Sequence, residues 1–161
     1  MKAATAALLV FCVRASAQSV LVVTADAEDY LLSAGGSVAA MVDKGAVASV
    51  VRVTNDEKSA WDLSPEETAV RNRAESEKAA AILGVKEVVS MGYRSAELAD
   101  VPFTTLRDRL IVYIRHYRPA AMFIPNPYTE YDRVLDRYYT GRAAEDAWRA
   151  AALDNYVPPF G

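Results

Sequence analysis

Cysteine and histidine are almost missing from this chain of 161 residues, which holds one of each, Cys12 and His116. Cys12 falls within an N-terminal stretch that reads as an export signal. Lys2 is its positive n-region, residues 3–13 its apolar h-region, and Ala15-Ser16-Ala17 fits the small-x-small cleavage pattern. Arg14 is atypical at its place between the two, and a frayed apolar helix is the alternative reading. Cleavage there would leave a mature chain with no thiol, hence no disulfide framework, no cysteine nucleophile and no cysteine ligand. The h-region is too short to anchor across a bilayer, so no membrane span is expected. Blocks of basic residues are missing too, and a net charge of −3 argues against nucleic acid as a partner. Neither G-x-G-x-x-G nor a P-loop occurs, which weakens a nucleotide-binding reading.

What is there is an ordinary globular composition, 52% apolar and 24% charged. A chain of this length folds as one domain and buries roughly 68–70% of its unfolded surface. The expected division is a signal peptide over residues 1–17, for a periplasmic or secreted protein, and one α/β domain over residues 18–161. The final Pro158-Pro159-Phe160-Gly161 follows a helix, where a doubly wound sheet often continues. A compact version of the fold and a truncated one are both open.

The most informative stretch is SVLVVTADAEDY, residues 19–30, an apolar run that stops in Asp26, Glu28 and Asp29. Residues 20–23 read as a fully buried parallel strand. Acids at its carboxyl end, ahead of Gly35-Gly36 and a helix, stand where open α/β sheets carry their chemistry. By themselves they also suit a solvated turn whose carboxylates cap the next helix. Strands expected over 20–24, 47–54, 87–91 and 120–125 alternate with helices over 37–44, 65–83, 104–117 and 139–155. That alternation predicts a Rossmann-like doubly wound, mostly parallel sheet in a single α/β domain. Helix 65–83 has the strongest start signal, with Ser64 as N-cap, Pro65 in the first turn and Glu67 closing a capping box.

Taken in order, these landmarks resemble the PIG-L/LmbE deacetylase family, over about residues 19–156. The family's strand-A-H-P-D-D-E motif reads Ala25-Asp26-Ala27-Glu28-Asp29-Tyr30, followed by Gly35-Gly36. Further matches are Thr54-Asn55-Asp56-Glu57, the helix with Arg73, Glu75, Ala79-Ala80-Ala81 and Leu83-Gly84, and Met91-Gly92-Tyr93-Arg94. Ile114-Arg115 and Arg118-Pro119 fit I-R-x-x-R-P, and the H-P-D-H-R-x-x-G-R-A motif reads Val134-Leu135-Asp136-Arg137-Tyr138-Tyr139-Thr140-Gly141-Arg142-Ala143.

The resemblance implies a relative of zinc-dependent hydrolases that remove N-acetyl groups from amino sugars, with an amino-sugar or glycan-type small molecule as ligand. It places the metal positions at Asp26, Asp29 and Arg137, the general base at Glu28, a retained acid at Asp136, and substrate-flanking residues at Glu57 and Arg94. Two motif histidines are thereby replaced at the metal, by Asp26 and Arg137; Val134 replaces a third. A catalytic zinc needs three lone-pair donors and an open position for water, and a guanidinium offers no lone pair. At about 4 Å and an effective dielectric near 20, unit charges interact by roughly 4 kcal/mol, and a divalent ion would be opposed by about twice that. The expectation is therefore a catalytically lapsed member, without zinc, in which Arg137 forks onto Asp26 and Asp29. One alternative is an active metal-dependent amide hydrolase with a carboxylate-rich site and Glu28 as base. Another is an unrelated α/β nucleotide- or glycan-binding module. Asp26, Asp29, Glu130, Asp132 and Asp136 could also form a hard-cation site. Tyr128, Tyr131, Tyr138, Tyr139, Trp61 and Trp148 could line a sugar-stacking cleft. His116, between Arg115 and Arg118 at a helix end, reads as structural.

Overall fold

The computed structural model describes residues 18–128, 130 and 132–156. The expected signal peptide with Cys12, Tyr131 and residues 158–161 lie outside them. The elements run β1 (Ser19–Thr24), α1 (Ala27–Ser33), α2 (Gly35–Asp43), β2 (Val47–Thr54), α3 (Pro65–Ile82), β3 (Glu87–Tyr93), a 3₁₀ turn (Leu98–Asp100), α4 (Phe103–Tyr117), β4 (Ala121–Phe123) and α5 (Leu135–Ala151). Every strand pair is parallel and the order is β3-β2-β1-β4. The chain lays strands to one side of β1 and then returns to the other, so the switch point lies outside the carboxyl ends of β1 and β4, where such sheets open a crevice.

β1 is central, and its apolar run serves two layers at once. Leu21 and Val23 pack with α4 and α5 residues such as Leu110, Ile111, Ala143 and Ala147. Val20 and Val22 face Tyr30, Val38 and Ala80 on the other side. Alternate side chains of a strand point to opposite faces, so helices on both faces demand an unbroken apolar strand. Ser64 and Glu67 close the expected capping box on α3: the Glu67 amide donates to Ser64 Oγ at 3.2 Å, and the Ser64 amide to Glu67 Oε2 at 3.0 Å.

Several elements differ from the sequence reading, and α2, from Gly35, and β3, to Tyr93, each reach two residues past the expected bound. α1 was not expected, because its 7 residues are too few to display helical periodicity. β4 stops at Phe123, and the following backbone, interrupted by Pro125 and Pro127, has fewer amides to offer a ladder. α5 begins at Leu135, ahead of the expected start at residue 139.

Gly141 permits α5 to close on the segment after β4. A Cβ built there would overlap the Pro125 carbonyl oxygen. Alanine is intrinsically better than glycine in a helix by about 1 kcal/mol, but overpacking costs about 1–3 kcal/mol, and a backbone carbonyl cannot swing aside as a side-chain tip can. Gly141→Ala is therefore expected to lower stability by about 1–2 kcal/mol, read as a lower urea midpoint. An equal or higher midpoint would show that α5 does not rely on this approach.

Candidate functional site

Asp26 ends the loop after β1 and is the N-cap of α1, with extended backbone (φ −112°, ψ 165°). Its own amide donates to Asp29 Oδ2 at 3.3 Å, so the acids of the first motif form the helix start that their capping chemistry allows. Thr54, the last residue of β2, donates its hydroxyl to Asp26 Oδ1 at 2.6 Å. Beyond it lies Asp56, whose Oδ2 accepts from the Ala27 amide at 3.0 Å and from Arg52 Nη1 at 3.1 Å. Arg52 and Asp56 are 3% and 5% exposed, so this is a buried ion pair in the floor of the site. Asp56 holds a left-handed backbone (φ 57°), and Asn72 of α3 donates to its carbonyl at 3.1 Å. Burial first, and then the facing Asp56 carboxyl, push the Asp26 carboxyl up to about 6; the Thr54 hydroxyl and the positive charge of Arg137 oppose the rise.

A second group lies across α1. Arg137, in the first turn of α5, donates from Nε to Asp29 Oδ1 at 2.8 Å and places Nη2 2.7 Å from the same oxygen. Its Nη1 lies 3.6 Å from Asp132 Oδ1. Among the described residues no nitrogen of Arg137 comes within ion-pair distance of Asp26. The guanidinium fork thus spans Asp29 and Asp132 rather than Asp29 and Asp26, because Asp26 is turned toward Thr54 and Asp56.

The other expected site residues fall on different sides of this centre. Glu28 is exposed on α1 and lines a cleft of about 600 Å³ with Asp26, Asp56, Ser76, Ser95 and Asp136. Asp136, 4% exposed, accepts from the amides of Ala96 and Leu98 at 2.6 and 3.2 Å, tying the start of α5 to the loop after β3. Glu57 and Arg94 meet each other, Nε to Oε1 at 2.9 Å. The Asn55 side-chain amide, donating at 2.7 Å, and then Arg94 hold the Glu57 carboxyl below its usual range. Arg52 and Asp56 were given no role from sequence, although a lone arginine in the apolar strand VASVVRVT, four residues ahead of an aspartate, was the available signal.

Zinc would need three converging lone-pair donors. Among the described residues no group of three His, Cys, Asp or Glu side chains could hold a metal ion. Asp29 is occupied by Arg137, which cannot donate a lone pair, so this donor set does not fit the metal. The same geometry corrects the hard-cation grouping: Asp132 faces Arg137, Asp136 faces backbone amides, and Glu130 is exposed. The aromatic cleft is corrected as well. Trp61 is fully exposed, Tyr128 donates to Glu145 at 2.6 Å, Tyr138 and Tyr139 pack edge to face, and no aromatic residue among those described lines the cleft. His116 is exposed at the end of α4, edge-on to Tyr117. No helix among the described residues is long and apolar enough to cross a membrane.

The family model described as PIG-L, GlcNAc-PI de-N-acetylase, matches residues 21–148. A diacetylchitobiose deacetylase of Thermococcus kodakarensis is 27% identical over 142 residues, which cover 86% of this chain and 52% of that protein. Among solved structures, the N,N'-diacetylchitobiose deacetylase of Pyrococcus horikoshii, in complex with an inhibitor, superposes with a TM-score of 0.81 at 29% identity, covering 87% of this chain and 52% of the other. A conserved protein of Thermus thermophilus gives 0.72 at 29% identity, covering 88% and 59%. The chain thus spans about half the length of the curated relative it matches. The match in order and in fold removes the reading of an unrelated α/β module.

Proposed function

The chain belongs to the PIG-L family, and from that premise we propose that it is a non-hydrolytic member, which binds an amino-sugar-type small molecule in the cleft beside Asp26 and holds no zinc. The observation that carries this reading is the ion pair of Arg137 with Asp29, 2.7 Å long. The family's deacetylases depend on zinc to activate water and polarise the amide carbonyl. Here a permanent cation sits on one of the two carboxylates left at the metal positions, and the other is drawn toward Thr54 and Asp56. Glu28 keeps a carboxylate at the general-base position, but with no metal-bound water it has no acidified proton to remove. The ligand class follows from relatives named for diacetylchitobiose and from a cleft of fitting size for a small molecule, about 600 Å³.

The test is metal analysis of protein purified without chelators, followed by an acetate-release assay on N,N'-diacetylchitobiose with added zinc or manganese. Substoichiometric zinc and no acetate are the expected results. One zinc per chain, together with acetate release that Glu28→Ala abolishes, would instead establish a working metal-dependent hydrolase.

A further inference from the structure

We propose that the cleft selects amino sugars carrying a free ammonium over their N-acetylated forms, an inference that rests on the sugar-binding reading above. Five carboxylates line the cleft, Asp26, Glu28, Asp56, Glu75 and Asp136, against two cations, Lys58 and Arg133. Several of these charges are already answered. Asp56 is paired with Arg52, Glu75 with Arg71, Lys58 with Glu97, and Asp136 accepts from two backbone amides. Among the described residues Asp26, which accepts from the Thr54 hydroxyl, and Glu28 have no ion-pair partner, and both line the cleft from the start of α1.

An independent observation points to a hydroxyl-bearing ligand. Ser76 and Ser95 both line the cleft, are 3% and 9% exposed, and have no hydrogen-bond partner for Oγ. A buried hydroxyl without a partner is destabilising, and a ligand that pairs with it removes that cost. Each can both donate and accept, which suits the ring hydroxyls of a sugar. An ammonium on that ring would donate to Asp26 and Glu28 as a charge-assisted hydrogen bond. An acetamide would instead bring a carbonyl oxygen, an acceptor, toward two more acceptors. Of the two cations lining the cleft that could answer it, Lys58 is held by Glu97 and Arg133 is exposed to solvent in the loop ahead of α5. The carboxylate at residue 26 therefore favours an ammonium over an acetamide at this end of the cleft.

Binding is measured by calorimetry on the full chain, at low salt and at a pH where the amine is charged. The probes are glucosamine and its β-1,4 dimer, N-acetylglucosamine and N,N'-diacetylchitobiose, with ethanolamine as a ring-free amine. The amine forms are expected to bind about tenfold more tightly than the acetylated ones. Glu28→Gln, at an exposed position that the fold does not need, is expected to weaken the amine forms by roughly three- to five-fold and to leave the acetylated forms unchanged. Equal or tighter binding of the acetylated sugars overturns the inference and leaves the sugar-binding reading standing. Binding of neither class overturns both. Ethanolamine binding as tightly as glucosamine, or Glu28→Gln without effect, overturns the inference by showing that the preference is not built by this part of the cleft.

Discussion

Arg137→His combined with Asp26→His is expected to give a chain that binds about one zinc ion per molecule where the parent is expected to bind substoichiometric zinc, since a zinc site needs three protein donors. The substitution at residue 137 does two things. It removes a fixed charge that opposes a divalent ion by roughly 8 kcal/mol at 4 Å and an effective dielectric near 20, and it releases Asp29, whose Oδ1 now accepts from Nε at 2.8 Å. The substitution at residue 26 supplies a second imidazole. It stands beside Asp56, an acceptor already present to orient the ring nitrogen that does not face the metal. Arg137→Ala is the control, because it removes the charge without adding a donor and should leave zinc weakly held. Metal content after dialysis against zinc checks all of these. If the double variant stays free of zinc, the guanidinium is not what keeps the metal out; if Arg137→Ala fills as well as the double variant, the charge alone excludes the metal and the missing donor does not matter.

Asp56→Ala is expected to cost about 3–5 kcal/mol, the usual penalty for leaving one member of a buried ion pair alone. For a domain near this size each kcal/mol moves Tm by about 2–4 °C, so a loss of roughly 6–20 °C follows. Arg52 would be left uncompensated at 3% exposure, the Ala27 amide would lose its acceptor, and the start of α1 would loosen. Asp56→Asn should cost less, because asparagine tolerates the left-handed backbone (φ 57°) and still accepts at the amide. Arg52→Met added to Asp56→Ala should recover part of the loss, since a pair replaced together by apolar groups leaves no orphaned charge. Thermal unfolding of the set decides it. A Tm for Asp56→Ala within a few degrees of the parent would mean that the pair is solvated and does not support the site.

Legibility of this molecule divides by how far apart the interacting residues lie. The apolar run at residues 20–23 and the Ser64-Pro65-Glu66-Glu67 start could be read directly, because strand burial and helix capping depend on neighbours within a few positions. α1 could not, since its capping box is built from acids that sequence assigns equally well to a metal site. The pairing of Arg137 with Asp29 spans 108 positions. Sequence marked both residues but divided the guanidinium between Asp26 and Asp29, and only the packing of α5 against β1 showed that Asp26 faces the other way. Arg52 and Asp56 escaped because an i,i+4 pair on a strand and its following loop has no periodic signature.

By itself the sequence determined the order of strands and helices apart from α1, the family, and the chemical identity of residue 137, a cation without a lone pair in any fold. The tertiary structure alone decided which carboxylate that cation takes, which carboxylate is left to face Asp56, and that two buried serine hydroxyls border the same cleft. The reason is geometric: such choices turn on a few ångströms at the carboxyl ends of the parallel strands, where α1, the loops after β2 and β3, and the start of α5 are brought together from distant parts of the chain.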